Sequence, residues 1–355
     1  RLVRCAERGP GAGRRRSGRP GADVGAGAAA RRPGRGEQNE PRGGGGPEQR
    51  VVNHDERTEG ALAIGAHDAH GRQARARTVA RVPADLERVL AGELAGWEVG
   101  FAAAGVTGPG ATLAAHGDRR RTVRLASVSK PVTALAVLVA AEEGVLDLDE
   151  PAGPPGSTVR HLLAHASGLP FEGEQPIAPP GRRRIYSNEG FRVLGEHLAA
   201  RAEMPFAAYV RAAVAAPLAL ALDPHGHPGA GMHGSLDDVL PLGRELLSPT
   251  LVAPETLAEM TTVQFPGLDG VLPDFGRFAP LDWGLGVELK GRKSPHWSGT
   301  LTSPRTFGHF GGSGTFLWVD PARRLACACL ADRPFGDWAK EAWPRLSDAV
   351  LAALA

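Results

Sequence analysis

Cysteine is almost absent from the chain, with three residues in 355: Cys5, Cys327 and Cys329. That leaves no disulfide framework and no C-x-x-C pair for a zinc site. Cys327 and Cys329 fall in the apolar run LACACLA, where period-two alternation puts both on one face of a strand, as buried packing residues. Lysine is also rare, four residues against 37 arginines, and there are only two tyrosines. No segment approaches the ~18 consecutive apolar residues of a membrane helix. Nor does the chain open with a basic patch, an apolar run and a small-residue cleavage site. These absences predict a cytoplasmic protein with no membrane partner.

What is present divides sharply in two. Residues 1–81 carry 17 Arg against nine acidic residues, a net charge of +8, so the remainder of this +2 chain carries −6. Residues 1–78 are dominated by Gly, Arg, Pro and Ala and cannot bury enough apolar area to offset chain entropy, so they are expected to be disordered. Their lack of interleaved aromatics argues against an RNA-binding tail, and no nucleic-acid partner is expected. Because the sequence opens on Arg1 rather than Met and uses 37 arginines against four lysines, much of this front segment is expected to be translated upstream sequence of a GC-rich bacterial gene, with the native start near Val79 or Val82.

From residue 79 to 355 the texture is that of one folded domain. PADLERVLAGEL has helical spacing, with Leu86, Val89, Leu90 and Leu94 on one side. WEVGFAAAG (97–105) and ATLAAHG (111–117) predict a hairpin across Gly108-Pro109-Gly110. TVRLA (122–126) is extended. Residues 127–143 are apolar nearly all round and predict a helix at the centre of the protein, closed by Gly144. Helical patterns follow in VRHLLAHA, NEGFRVLGEHLAARAE, FAAYVRAAVAAPL and SLDDVLPLGRELL. Strands return in WGLGVEL (283–289), RTFGHFGG (305–312), SGTFLWVD (313–320) and RRLACACLAD (323–332), before a last amphipathic helix. Strands from both ends pairing in one antiparallel sheet, flanked by helices and with a helical subdomain inserted at about 145–260, give an α+β fold.

Three short patterns carry chemistry. In Ser127-Val128-Ser129-Lys130, positions i and i+3 share a helix face, so the amine reaches the hydroxyl. Apolar neighbours lower a lysine pKa and make the amine a proton acceptor. With 13 serines and four lysines, about 0.15 such pairs are expected by chance, and this is the only one. Tyr186-Ser187-Asn188 precedes a predicted helix: Ser and Asn suit an N-cap, while a phenol deprotonated near Lys130 can act as acid or base and the Asn188 amide can hold both Lys130 and a substrate carbonyl. His309-Phe310-Gly311-Gly312 ends a predicted strand. Its glycines allow a substrate backbone close to the strand edge, and the Gly312 N–H with that of Ser127 forms a candidate two-donor oxyanion hole.

Together, LASVSKPVTALAVL, LLAHASGLP, YSNEGFRVLGEHL, WGLGVEL and GHFGGSGTFLWVDP resemble, in content and order, the class C β-lactamase-like serine hydrolases over about residues 82–355. That family includes penicillin-binding enzymes, D-alanyl-D-alanine carboxypeptidases, D-amino-acid peptidases and carboxylesterases. The resemblance implies a β-lactamase/transpeptidase-like fold with the site between sheet and helical domain. It also implies an acyl-enzyme on Ser127 formed with Lys130 and Tyr186, substrate binding by Asn188, His309, Gly311 and Gly312, and neither metal nor organic cofactor.

One departure bears on substrate. The third motif usually begins with lysine, a permanent cation suited to a carboxylate; His309, with an ordinary pKa near ~6.5, is mostly neutral at pH 7. That predicts small esters or uncharged amides ahead of β-lactams, with β-lactamase or D-alanyl-D-alanine carboxypeptidase as the alternative and a non-catalytic acyl-ligand scaffold as a third. Arg305, four residues upstream, is not favoured as a replacement cation. An α/β-hydrolase is disfavoured because Gly311-Gly312-Ser313-Gly314-Thr315 breaks G-x-S-x-G at its fifth position. Ser167 reads as a turn residue, and His225-Gly226-His227 as a solvated Pro/Gly loop without an acidic partner at ligand spacing. Substrate choice is assigned to the loops at 145–185 and 262–282.

Overall fold

The computed structural model describes residues 85–355. The expectations for residues 1–78, for the start site and for Cys5 lie outside them. Ten strands and eight α-helices are named below in chain order.

The chain enters on α1 (85–95), whose Leu86, Leu90 and Leu94 are buried as the spacing predicts. The hairpin β1 (Ala102–Thr107) and β2 (Thr112–His116) follows. The strand begins five residues later than expected because Trp97 turns back onto α1, its N–H donating to Leu94 O at 3.1 Å. After β3 (Val123–Arg124) a 3₁₀ turn, Ala126–Val128, leads into α2 (Ser129–Glu142).

The predicted helical region contains α3 (Val159–Leu163), α4 (Asn188–Arg201) and α5 (Phe206–Val210), the last continuing into a π-helical turn, Arg211–Ala215. Beyond β4 (His233–Gly234) come α6 (Leu236–Glu245) and α7 (Pro254–Met260). The sequence reading places α6 in the helical subdomain. Its Leu236, Val239, Leu240 and Leu242 share one apolar core both with Leu317, Val319, Ala326, Ala328 and Leu330 of the sheet and with Phe191 and Leu194 of α4, and α6 packs directly on β1, β9 and β10. The small hairpin β5 (Gly270–Leu272) and β6 (Gly276–Phe278), like α7, was not anticipated.

The remaining elements are β7 (Glu288–Leu289), β8 (Phe307–Gly311), β9 (Thr315–Asp320), β10 (Leu325–Ala331) and α8 (Asp337–Ala352). WGLGVEL forms a strand only at its last two residues. Gly286 takes a φ of +75°, and its N–H donates to Leu163 O at 3.0 Å. Its bare Cα lies against Ala134 of α2, where any Cβ would collide.

The main sheet has the order β2-β1-β10-β9-β8-β7, antiparallel at every pairing. Both faces are covered. Leu317, Val319, Ala326 and Ala328 join the core with α2 and α6. Phe316, Trp318, Cys327 and Cys329 point the other way, into the layer of α1 and α8. That is why β9 and β10 are buried at every residue and LACACLA reads as a continuous apolar run rather than an alternating one. Among the described residues no helix is long and apolar enough to cross a membrane.

Candidate active site

Ser127 lies in the 3₁₀ turn, two residues before the start of α2. Ala126 before it has a φ of +46°, an uncommon conformation for a residue with a Cβ. The surroundings hold it there. Leu125 N–H donates to Met232 O at 2.9 Å; Leu125 O accepts from Thr315 Oγ1 at 2.8 Å, and Arg124 O from Ser313 Oγ at 2.6 Å. Strands β8 and β9 therefore clamp the turn that presents the hydroxyl.

Lys130, one helical turn on, is fully buried. Its Nζ lies 3.3 Å from Ser127 Oγ, 2.7 Å from Asn188 Oδ1 and 2.9 Å from Gly229 O. Burial drives its pKa well below the usual lysine range. A neutral amine has two N–H bonds and one lone pair. Asn188 Oδ1 and Gly229 O can only accept, so they engage the two N–H bonds and leave the lone pair for Ser127.

Tyr186 OH donates to Ser127 Oγ at 2.7 Å and lies 3.4 Å from His309 Nε2. Burial pushes the phenol pKa up, against the smaller effect of the Ser127 hydrogen bond, so it is a protonated phenol rather than the phenolate the sequence suggested. His309 Nδ1 meets Phe310 O at 2.7 Å; a carbonyl only accepts, so Nδ1 carries the proton and Nε2 is the unprotonated nitrogen on the Tyr186 side. Burial lowers the His309 pKa to about 3, making the imidazole neutral at pH 7.

The three side chains of Tyr186-Ser187-Asn188 divide the work. Ser187 caps α4, its Oγ accepting from Gly190 N at 2.7 Å, while Tyr186 and Asn188 face Ser127 and Lys130. The two glycines of the third motif also differ. A Cβ on Gly311 would strike Leu125 O and Thr315 Oγ1, so this residue packs beneath the serine turn; a Cβ on Gly312 would meet nothing within 4 Å. Gly312 and Ser127 together line the two recesses that meet at the hydroxyl.

The first recess, about 180 Å³, is apolar, with Phe171, Tyr186, Leu272, Trp283, Phe310 and Phe335 in its wall. The second is wider and more polar than the first, with Arg124, Asn188, Ser313 and Asp332 among its walls. Phe171 comes from the 145–185 loop and Leu272 from the 262–282 loop, the two segments expected to choose substrate. Arg305 lines a different depression and supplies no charge here. Ser167 is buried in its turn, accepting from Leu169 N at 3.4 Å.

Sequence reasoning missed three contributors. Gly229 belongs to the Pro/Gly loop expected to be merely solvated, yet its carbonyl holds Lys130 and the preceding Pro228 O accepts from Thr133 Oγ1 at 2.6 Å. His165 packs at a tilt against Tyr186 with ring centroids 4.6 Å apart, and its Nδ1 accepts the Ser187 N–H at 3.1 Å. The β5–β6 hairpin supplies Leu272, Pro273 and Asp274 to the recess; Pro273-Asp274 followed by Gly276 was a readable turn signal. His225 is exposed and pairs with Asp223, and no group of three or more metal-ligating side chains occurs among the described residues.

A serine and lysine one turn apart, a tyrosine on the hydroxyl and a glycine-ended strand opposite them define a serine hydrolase of the β-lactamase and penicillin-binding kind. The β-lactamase family profile matches residues 86–225 and 219–351, and the chain belongs to that family. A β-lactamase from Mycobacterium bovis is similar in structure, with 53% identity and a TM-score of 0.72, covering 73% of this chain and 97% of its own. EstCE1, a hydrolase with promiscuous acyltransferase activity, shares the fold at 19% identity and a TM-score of 0.64, covering 77% of this chain and 99% of its own. A Salmonella enteritidis protein proposed to be a D-alanyl-D-alanine carboxypeptidase is 39% identical over 70 residues, 19% of this chain and 16% of its own length. The match thus spans about a sixth of that relative.

Proposed function

We propose that the protein hydrolyses small esters and uncharged amides through an acyl-enzyme on Ser127. The observation that carries this reading is the position of Ser127 Oγ between Lys130 Nζ at 3.3 Å and Tyr186 OH at 2.7 Å. As Oγ bonds to the substrate carbonyl carbon, its proton passes to the neutral Lys130 amine. The carbonyl oxygen takes up the negative charge and is held by the Ser127 and Gly312 N–H groups. When the bond to the leaving atom breaks, Tyr186 gives that atom its proton and recovers one from Lys130. Water then attacks the acyl-enzyme by the same relay in reverse and frees Ser127.

The neutral His309 supports uncharged substrates, since it offers no fixed cation to a carboxylate. The β-lactamase reading stands second, favoured by the 53% identity to the Mycobacterium bovis β-lactamase. Turnover of p-nitrophenyl acetate and of a chromogenic cephalosporin, each compared with Ser127→Ala, separates the two. Ester turnover that disappears in the variant, with little cephalosporin cleavage, is the expected result. Dominant cephalosporin turnover reverses the order of the readings. Failure of an acylating probe to label Ser127 in folded protein points to the scaffold.

A further inference from the structure

The apolar recess continues beyond the reacting groups. Three of its walls, Phe171, Tyr186 and Pro273, are also walls of a neighbouring groove of about 500 Å³, completed by Ile177, Ile185 and Val271 among others. Phe171, Ile177 and Val271 are 48%, 66% and 54% exposed, and they are three of the five large apolar side chains standing in solvent among the described residues. Isolated exposed apolar residues are ordinary, but their concentration along one groove that opens from a nucleophile marks a binding surface.

The other side of Ser127 is the more polar one, with Arg124, Asn188, Ser313 and Asp332 in its wall beside Phe171, which borders all three depressions. Tyr186 belongs to both apolar depressions and not to the polar one. A group that protonates the leaving atom must stand beside it. The leaving half of a substrate therefore departs on the Tyr186 side, and the acyl half lies toward Asn188 and Arg124. We infer that the Phe171–Ile177–Val271 groove is a distal subsite for the leaving group, so that the preferred substrates are esters of extended apolar alcohols with a compact or polar acyl half. This inference rests on the acyl-enzyme reading above.

Two ester series test it on the full chain. In the first, alkyl acetates from ethyl to octyl are followed by acid release; in the second, p-nitrophenyl esters from acetate to octanoate are followed by colour. Each alcohol methylene that enters the groove raises kcat/KM by about fourfold. Where deacylation limits, kcat converges on one value, because every acetate passes through the same acetyl-enzyme. The acyl series shows no comparable rise. Ile177→Asp and Val271→Asp, both at exposed positions, each lower the octyl-to-ethyl ratio of kcat/KM by tenfold or more. A ratio is insensitive to the amount of folded enzyme. A rise with acyl length over a flat alcohol series overturns the assignment and leaves the hydrolase reading standing, and so does an unchanged ratio in both variants. Absence of Ser127-dependent turnover in every ester overturns the hydrolase reading, and the subsite with it.

Discussion

Replacing Asn188 by aspartate puts a carboxylate where an amide oxygen now accepts from Lys130 Nζ at 2.7 Å, with almost no change in side-chain size. Burial disfavours the charged form of the amine. A carboxylate beside it acts in the opposite direction. With an effective dielectric of ~20, unit charges ~4 Å apart attract by about 4 kcal/mol, equivalent to about three pH units on the lysine pKa. The sign is fixed by the role of the amine: it works only when deprotonated, so raising its pKa moves the ascending limb of the rate profile to higher pH. Asn188→Asp is expected to lower kcat/KM for p-nitrophenyl acetate at pH 7 by about 10²–10³-fold. Part of the loss should return as the pH approaches 10. The assay is a pH profile of kcat/KM for both proteins, with a thermal melt to confirm folding. A folded variant whose loss is the same at every pH would refute Lys130 as the neutral base.

Tyr186→Phe removes the proton donor, so kcat/KM for an alkyl ester should fall by about 10²–10⁴-fold. The loss with a p-nitrophenyl ester should be much smaller, because p-nitrophenolate leaves unprotonated; equal losses would argue against the assigned role. His309→Lys supplies the missing cation, and a charged hydrogen bond of ~1.5–3 kcal/mol should raise the ratio of cephalosporin to ester turnover by about 10–100-fold; an unchanged ratio would remove His309 from substrate choice. Glu288 is buried with Lys293 Nζ at 3.0 Å and His296 Nε2 at 3.2 Å from its Oε1, while Trp297 Nε1 donates to Oε2 at 2.7 Å. Glu288→Ala strands the buried Lys293 charge and should cost about 3–5 kcal/mol in unfolding free energy, read by denaturant titration; a loss under 1 kcal/mol would contradict the network's importance.

The central helix, the hairpin, the last three strands and the two end helices were legible because each carries a period or a turn that local sterics enforce. Ser127, Lys130, Tyr186 and Asn188 were legible because their side-chain chemistry is distinctive at short spacing. Gly229 was not, since it contributes only a carbonyl, which every residue has. Phe171 and Leu272 were hidden for another reason: which apolar residues of a loop face a cleft depends on packing from distant segments, and no local pattern encodes it. Gly311 and Gly312 look equivalent in sequence, and only the approach of Leu125 and Thr315 to one of them separates a packing glycine from one that borders the recess.

The pairing of β1 with β10, Ala102 against Ala331, bears on how the enzyme is born. Strand β10 separates the early hairpin from β9 and β8 in the sheet, yet it is the last strand in the chain. A nascent polypeptide that has already emerged through Ser127, Lys130, Tyr186 and His309 still lacks the strand that joins its two halves. Contacts of such wide sequence separation form slowly, so hydrolytic competence should arrive in one late step. Until then the apolar strands and the turn bearing the nucleophile stay open to association with other chains.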